Sequence, residues 1–246
     1  MSDSVSQATD APLNEGQRIV DTFVAPSKTF TDLLRSSAWW GPLVILILMS
    51  IIFSFAVQSK VGWDRVFENN LHQSPKQEER FAQMPADQLA TAKSVSAKIT
   101  AGTAYGYWVL ILIFTAIIAL VVWATVNFGF GGKSTYGQVY AVYMYANLVM
   151  NLKYILATIA LFAGLAPDSF LMQNPVGTNL AYYFPDWPKW LTALMIHVDI
   201  FEIWSIVLSV IGIAIVAKVK RGTAAIVVVG WWVVIILILT GAAAAS

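Results

Sequence analysis

Three ionisable side chains stand in stretches otherwise too apolar to hold them: Lys153, Asp199 and Glu202, with His197 just ahead of the two acids. Two carboxylates three residues apart share one helix face. Beside a lysine they could run a proton relay or hold a charged substrate. An ionised group in hydrocarbon costs on the order of 3 kcal/mol, so three left unpaired would cost about 9 kcal/mol, comparable to a domain's whole stability. They must be paired, shallow or neutral. Depth and spacing predict a Lys153–Glu202 ion pair, with Asp199 nearer the water and His197 at the interface.

Asn147 and Asn151 extend this set. They belong to the series Tyr136, Tyr140, Tyr143, Asn147, Asn151, Tyr154 and Thr158, which recurs at steps of three and four and forms one narrow helical stripe. Asp199, Glu202, Ser205, Ser209 and Gly212 form a second stripe. Helices in lipid have no hydrophobic force drawing them together and associate through small and polar residues, so the two stripes are expected to face each other in the core of a bundle. Lys153, Asp199, Glu202, Asn147, Asn151 and His197 make up the candidate intramembrane polar cluster.

Enzyme chemistry finds little support elsewhere. Gly129–Thr135 (GFGGKST) suggests a phosphate loop, but the glycine such a loop needs five positions before Gly132 is Asn127. The stretch also joins two apolar runs, not a strand and a helix. Glu78-Glu79 lies in a polar stretch and has Gln83 where an intramembrane endopeptidase of the prenyl type needs arginine. His72 and His197 are the only histidines, and no HExxH zinc motif is present. The absence of cysteine excludes disulfides, thiolate metal sites and thiol catalysis. No catalytic, cofactor-binding or metal-binding set is expected, and the chain reads as a non-enzyme.

The elements that must hold the cluster follow from composition and patterning. Of 246 residues, 58% are hydrophobic and 12% charged, against about 25% charged in soluble domains. The mean hydropathy of +0.67 belongs to a polytopic membrane protein. A net charge of +1 gives no reason to expect nucleic acid as a partner. The expected fold is all-α: a five-helix transmembrane bundle with a partly helical polar loop after the first span. The spans are expected at about 41–57, 104–128, 136–161, 194–217 and 223–243. Residues 1–15 read as a disordered tail. Arg18 to Arg35 carries a weak amphipathic pattern suited to the headgroup layer, so 1–38 is taken as a polar cytoplasmic tail with a juxtamembrane segment and 39–246 as the membrane domain. With no short apolar core and cleavage site in the first 38 residues, the first span would act as its own insertion signal.

In the 58–102 loop, Ser74-Pro75-Lys76-Gln77 has the form of an N-cap, a first-turn proline and a capping-box glutamine, and Pro85 starts a second helix reaching about Ile99. The aromatic- and proline-rich stretch 164–190 suits a loop on the outer headgroups. Lysine and arginine are equally numerous on the two sides of the expected bundle. The decision falls to Lys218, Lys220 and Arg221, packed into a tight turn with no acid beside them, and they place the N-terminus in the cytoplasm and the C-terminus outside.

Several short motifs in order resemble the bacterial form of the Yip (Ypt-interacting protein) domain family. They are Pro26-Ser-Lys-Thr-Phe30, Trp39-Trp40-Gly41-Pro42-Leu43, Gly131-Gly132 before a tyrosine-rich span, Asp199-Ile-Phe-Glu-Ile-Trp204, Ile211-Gly212 and Lys218-Val-Lys-Arg-Gly222. The resemblance runs from about residue 18 to 243. It departs from the family pattern at Ala146-Asn147-Leu148, where a proline commonly interrupts the helix. It implies five spans in the same orientation, residence in the bacterial inner (plasma) membrane, and a role in organising membranes or scaffolding partners. Those partners would be the bilayer, membrane proteins or small GTPase-like proteins, and a further copy of the chain. The alternative from the residues alone is a small transporter or channel-like component using Asp199, Glu202 and Lys153. A water-filled cavity reaching all three would favour it.

Overall fold

The computed structural model describes residues 11–184 and 186–245. The first ten residues of the expected tail lie outside them. Twelve α-helices follow in order among the described residues: α1 (Glu15–Val24), α2 (Pro26–Asp32), α3 (Trp40–Lys60), α4 (Trp63–His72), α5 (Pro75–Ala82), α6 (Ala86–Tyr105), α7 (Tyr107–Ala124), α8 (Tyr136–Ala146), α9 (Met150–Phe162), α10 (Lys189–Met195), α11 (Ile200–Val216) and α12 (Arg221–Ala245). Among the described residues there is no strand, and a lone antiparallel bridge joins Asn179 to Asp199.

Local chemistry sets the boundaries. Asn14 and Gln17 form a capping box at the start of α1, and Thr135 and Gln138 form another at α8. Pro26 and Pro75 occupy first-turn positions where the missing N–H costs nothing. The Ser74 side chain makes no capping bond, so that part of the predicted signature is absent. The helix begun at Pro85 runs past Ile99 to Tyr105, and the chain bends at Gly106 before α7, which moves the start of the second apolar helix from 104 to 107.

Among the described residues, four helices are long and apolar enough to cross a membrane: Trp40–Lys60, Tyr107–Gly129, Tyr136–Phe162 and Arg221–Ala244. The expected fourth span, 194–217, is not one helix. It breaks after α10, and Asp199 caps a new start by accepting the backbone N–H groups of Phe201 and Glu202. What remains, Ile200–Val216, has 17 residues. At 1.5 Å per residue it is about 26 Å long, short of the roughly 30 Å of hydrocarbon.

The two ends of the bundle are identifiable from hydrogen bonds. At one end the 129–135 turn meets the α11–α12 turn, with Lys133 N–H donating to Ala217 C=O at 3.0 Å. At the other, Asn69 of α4 donates to the carbonyls of Pro167 and Phe170 (2.8 and 2.9 Å), and Arg65 pairs with Asp168. Each end has its own buried core. Phe30, Val122, Val139, Val142, Leu208 and Ile213 belong to the first, and Phe53, Trp63, Val66, Leu161 and Phe170 to the second. Outward faces of α3, α7 and α12 stay apolar, as at Phe55, Ile117 and Leu237, a surface suited to lipid.

The amphipathic N-terminal segment, expected in the headgroup layer, folds back onto the bundle. α1 and α2 form a hook packed against α11 and α8, with Phe30 and Leu33 fully buried. Glycine at 212 permits this approach: a Cβ there would lie 2.5 Å from Val142 Cγ1 and 3.0 Å from Phe30 Cδ1.

Candidate functional site

α11 runs antiparallel to α8 and α9, and three contacts step along them in register: Lys153 with Asp199, Asn147 with Ser205, and Val142 against Gly212. Lys153 Nζ donates to Asp199 Oδ2 at 2.8 Å, and the two residues are 9% and 1% exposed. Thr178 Oγ1 donates to the same oxygen, while Oδ1 accepts from Phe201 N–H at 2.8 Å. Asp199 is helix cap and counter-ion at once. This corrects the predicted ion pair, since the partner of Lys153 is Asp199 and not Glu202, and Asp199 is the deeper acid. The break before α11 is the cause, because it frees the Asp199 carboxylate at a helix start facing α9.

Glu202 has other partners. Its two oxygens each lie 3.1 Å from His197 Nδ1, and Oε1 accepts from Trp232 Nε1 at 2.7 Å. Asn147 occupies a turn of 3-10 helix, Asn147–Val149, between α8 and α9, and its Oδ1 accepts from Ser205 Oγ at 3.0 Å. Asn151 donates back to Leu148 C=O at 3.1 Å. The six predicted residues therefore fall into an ion pair, a histidine–glutamate–tryptophan set, an asparagine–serine bridge and a separate asparagine. Thr178 and Trp232 were not foreseen. Each lies far along the chain from the acid it serves, and no spacing along the chain links the two.

A cavity of about 360 Å³ lies between α3, α7, α9, α11 and α12. Glu202, His197, Asn147 and Asn151 line it; Lys153 and Asp199 do not. A second of about 400 Å³ adjoins it, the two sharing Leu46, Tyr107, Asn151 and Tyr154. The two stripes do face each other, but they meet at Asn147–Ser205 and border this cavity elsewhere, with Tyr143, Asn151 and Tyr154 on one side and Glu202 and Ser209 on the other.

A family model, the Yip1 domain, matches residues 20–242. The chain belongs to the Yip1 domain family. No curated protein and no solved structure matches it.

The Yip1 match opens within α1 and takes in the whole polar cluster and most of the N-terminal hook. The hook is fastened by a second buried ion pair: Arg18 reaches Asp32 Oδ2 through Nε at 2.7 Å and Nη2 at 2.6 Å. Thr22 and Thr29 hydroxyls both donate to Arg18 C=O, and Tyr145 OH donates to Glu15 Oε2 at 2.6 Å. Burial works against the Arg18 charge, but hydrogen bonds to Asp32 and Tyr145 outweigh it and leave its pKa raised above the ordinary value. Asp32, a charged residue of this amphipathic segment, is buried.

The GFGGKST turn of this Yip1 chain holds its own backbone. Gly131 takes φ +69°, a left-handed value suited to glycine. The N–H groups of Gly132, Lys133, Ser134 and Thr135 donate to Val126 C=O, Ala217 C=O, Asn127 Oδ1 and Gln138 Oε1. A phosphate loop needs such groups turned toward the anion. Asn127, the residue that breaks the phosphate-loop pattern, is the brace of this turn.

Proposed function

We propose that this Yip1 domain protein is a non-enzymatic membrane protein that organises its bilayer or scaffolds partners within it. The observation that carries this reading is the use of the buried ionisable groups. Asp199 caps α11 and pairs with Lys153, and Arg18 pairs with Asp32, so the charges that enter the core serve to hold helices together. Residues 39–246 form its membrane domain, with α11 as a fifth, shorter crossing between the two ends. Residues 1–38 lie on the cytoplasmic side of a bacterial inner membrane, and the C-terminus lies outside. The contact between the 129–135 and α11–α12 turns supports this orientation, because it sets Lys133 at the same end as Lys218, Lys220 and Arg221. Candidate partners are membrane proteins and small GTPase-like proteins, by family resemblance, and further copies of the chain. Transport through the polar cluster is not proposed, because the cavity reaching Glu202 is lined by neither Lys153 nor Asp199.

Crosslinking and mass spectrometry in native membranes should recover one reproducible partner set bridged to the hook or the two short turns. Recovery of a soluble metabolic substrate complex in its place would sink the scaffold reading. A phosphatase reporter fused after Ser246 should be active outside; activity only from a fusion within 129–135 would reverse the orientation.

A further inference from the structure

We propose that the cavity beside Glu202 binds an amphiphile whose head is a protonated amine and whose tail is apolar. The argument begins with register. Lys153–Asp199 and Asn147–Ser205 tie α9 to α11 on either side of the site. Asn151 lies four residues beyond Asn147 and Glu202 three residues before Ser205, about 6 Å and about 4.5 Å along antiparallel axes, so both reach the same level of the cavity. Both line it.

Each offers an acceptor. Asn151 is 7% exposed, and its amide nitrogen is committed to Leu148 C=O. Its side-chain oxygen accepts no hydrogen bond among the described residues, so a residue lining the cavity keeps a free acceptor. Glu202 is held in place by Trp232 and His197, and its Oε2 has the imidazole as its one partner among the described residues. A primary ammonium carries three donors and no acceptor, and so matches a carboxylate and an amide oxygen that line one level of the cavity.

Charge selects the same head. No lysine or arginine lines either cavity, and Glu202 is the one acid there. An anionic head would meet a carboxylate with no lysine or arginine to offset it, at a cost that low-dielectric surroundings make large. Most of the remaining wall is apolar, with Ile111, Phe114, Ile235 and Leu239 along an alkyl path. The volume of about 360 Å³ falls within the roughly 300–1,000 Å³ of small-molecule sites.

The test uses the full chain in phosphatidylcholine nanodiscs at pH 8, with empty nanodiscs as the blank, titrated with dodecylammonium, dodecanol and dodecanoate. Dodecylammonium should bind at least tenfold tighter than dodecanol, and dodecanoate weakest. Glu202→Gln keeps the shape and the Trp232 contact, and should bring the ammonium and alcohol affinities within threefold of each other. Leu46→Trp, from the wall shared by both cavities, should abolish binding of all three probes while helical circular dichroism is unchanged. Equal binding of ammonium and alcohol by the wild-type chain would overturn the proposal. So would a preference that survives Glu202→Gln, or ammonium binding that survives in folded Leu46→Trp. Should Glu202→Gln fail to fold, the wild-type ratio and Leu46→Trp still decide. Displacement of the probe by phosphatidylethanolamine but not by phosphatidylglycerol would assign the amine to a bilayer lipid; ammonium binding that phosphatidylethanolamine leaves intact would assign it to a free amine.

Discussion

Two buried ion pairs hold opposite ends of this bundle, and they are built in different ways. Arg18–Asp32 joins residues 14 apart in two short consecutive helices. Lys153–Asp199 joins residues 46 apart, one within α9 and the other at the cap of α11. The first closes a local hook that then packs onto α11. The second fixes where α11 begins and how it lies against α9. Breaking the first should free one segment, whereas breaking the second should undo the alignment of the bundle.

The largest effect is therefore expected at Asp199. Asp199→Ala leaves Lys153 buried without a counter-ion, a loss of about 3–5 kcal/mol, and removes a helix cap worth about 1 kcal/mol more. Unfolding of the full chain in mild detergent should register a drop of this size. Replacing both partners with apolar residues, Lys153→Met with Asp199→Leu, should recover much of it, because a buried pair is often no better than a packed apolar one. Glu202→Gln should cost far less. If the Asp199 and Glu202 variants are equally stable, the assignment of Asp199 as the structural acid is wrong.

Arg18→Met should come next, at about 2–3 kcal/mol, limited by the freedom of the hook to detach and hydrate Asp32. Hydrogen exchange would read the difference. Protection should fall across α1 and α2 while α8, α9 and α11 keep theirs; a uniform loss along the chain would mean that the hook is integral to the bundle.

Gly212 is where the two regions touch, since its missing side chain faces both Val142 and Phe30. Gly212→Ala should cost about 1–2 kcal/mol through overpacking. Val142→Ala should rescue the alignment with α8, and Phe30→Leu should rescue only the hook, so thermal melts of the two double variants separate the contributions.

These two regions were not equally legible from the chain. A lysine or carboxylate inside an apolar run stands out because lipid makes it costly, which is why Lys153, Asp199 and Glu202 were visible as a set. Which acid paired with the lysine was not, because that depended on a break at Ile196–Val198 that no glycine or proline marks. The apolar helices were readable within a few residues for the same reason of cost. The hook was not. Arg18 and Asp32 sit in a polar stretch where charges are ordinary, and only tertiary contact distinguishes them from solvated neighbours such as Lys28. The asparagine and tyrosine stripe was seen as a stripe, but its period could not distinguish a surface that packs from one that borders a cavity.

The smallest expected effect sharpens that last distinction. Ser205 Oγ donates to Asn147 Oδ1, the one hydrogen bond among the described residues that joins the neutral members of the two stripes. Hydrogen bonds between helices in lipid average only about 0.6 kcal/mol, since the separated helices find other partners. Ser205→Ala should cost about that much if the bond acts alone. Asn147 lies on a 3-10 turn between α8 and α9, where a change in its bonding would be felt along both. A loss well above 1 kcal/mol, with exchange protection falling on α8 as well as α9, would mean that the serine fixes the turn and through it the register that brings Lys153 to Asp199. A loss near 0.6 kcal/mol confined to the neighbouring amides would leave that register to the ion pair and to Gly212.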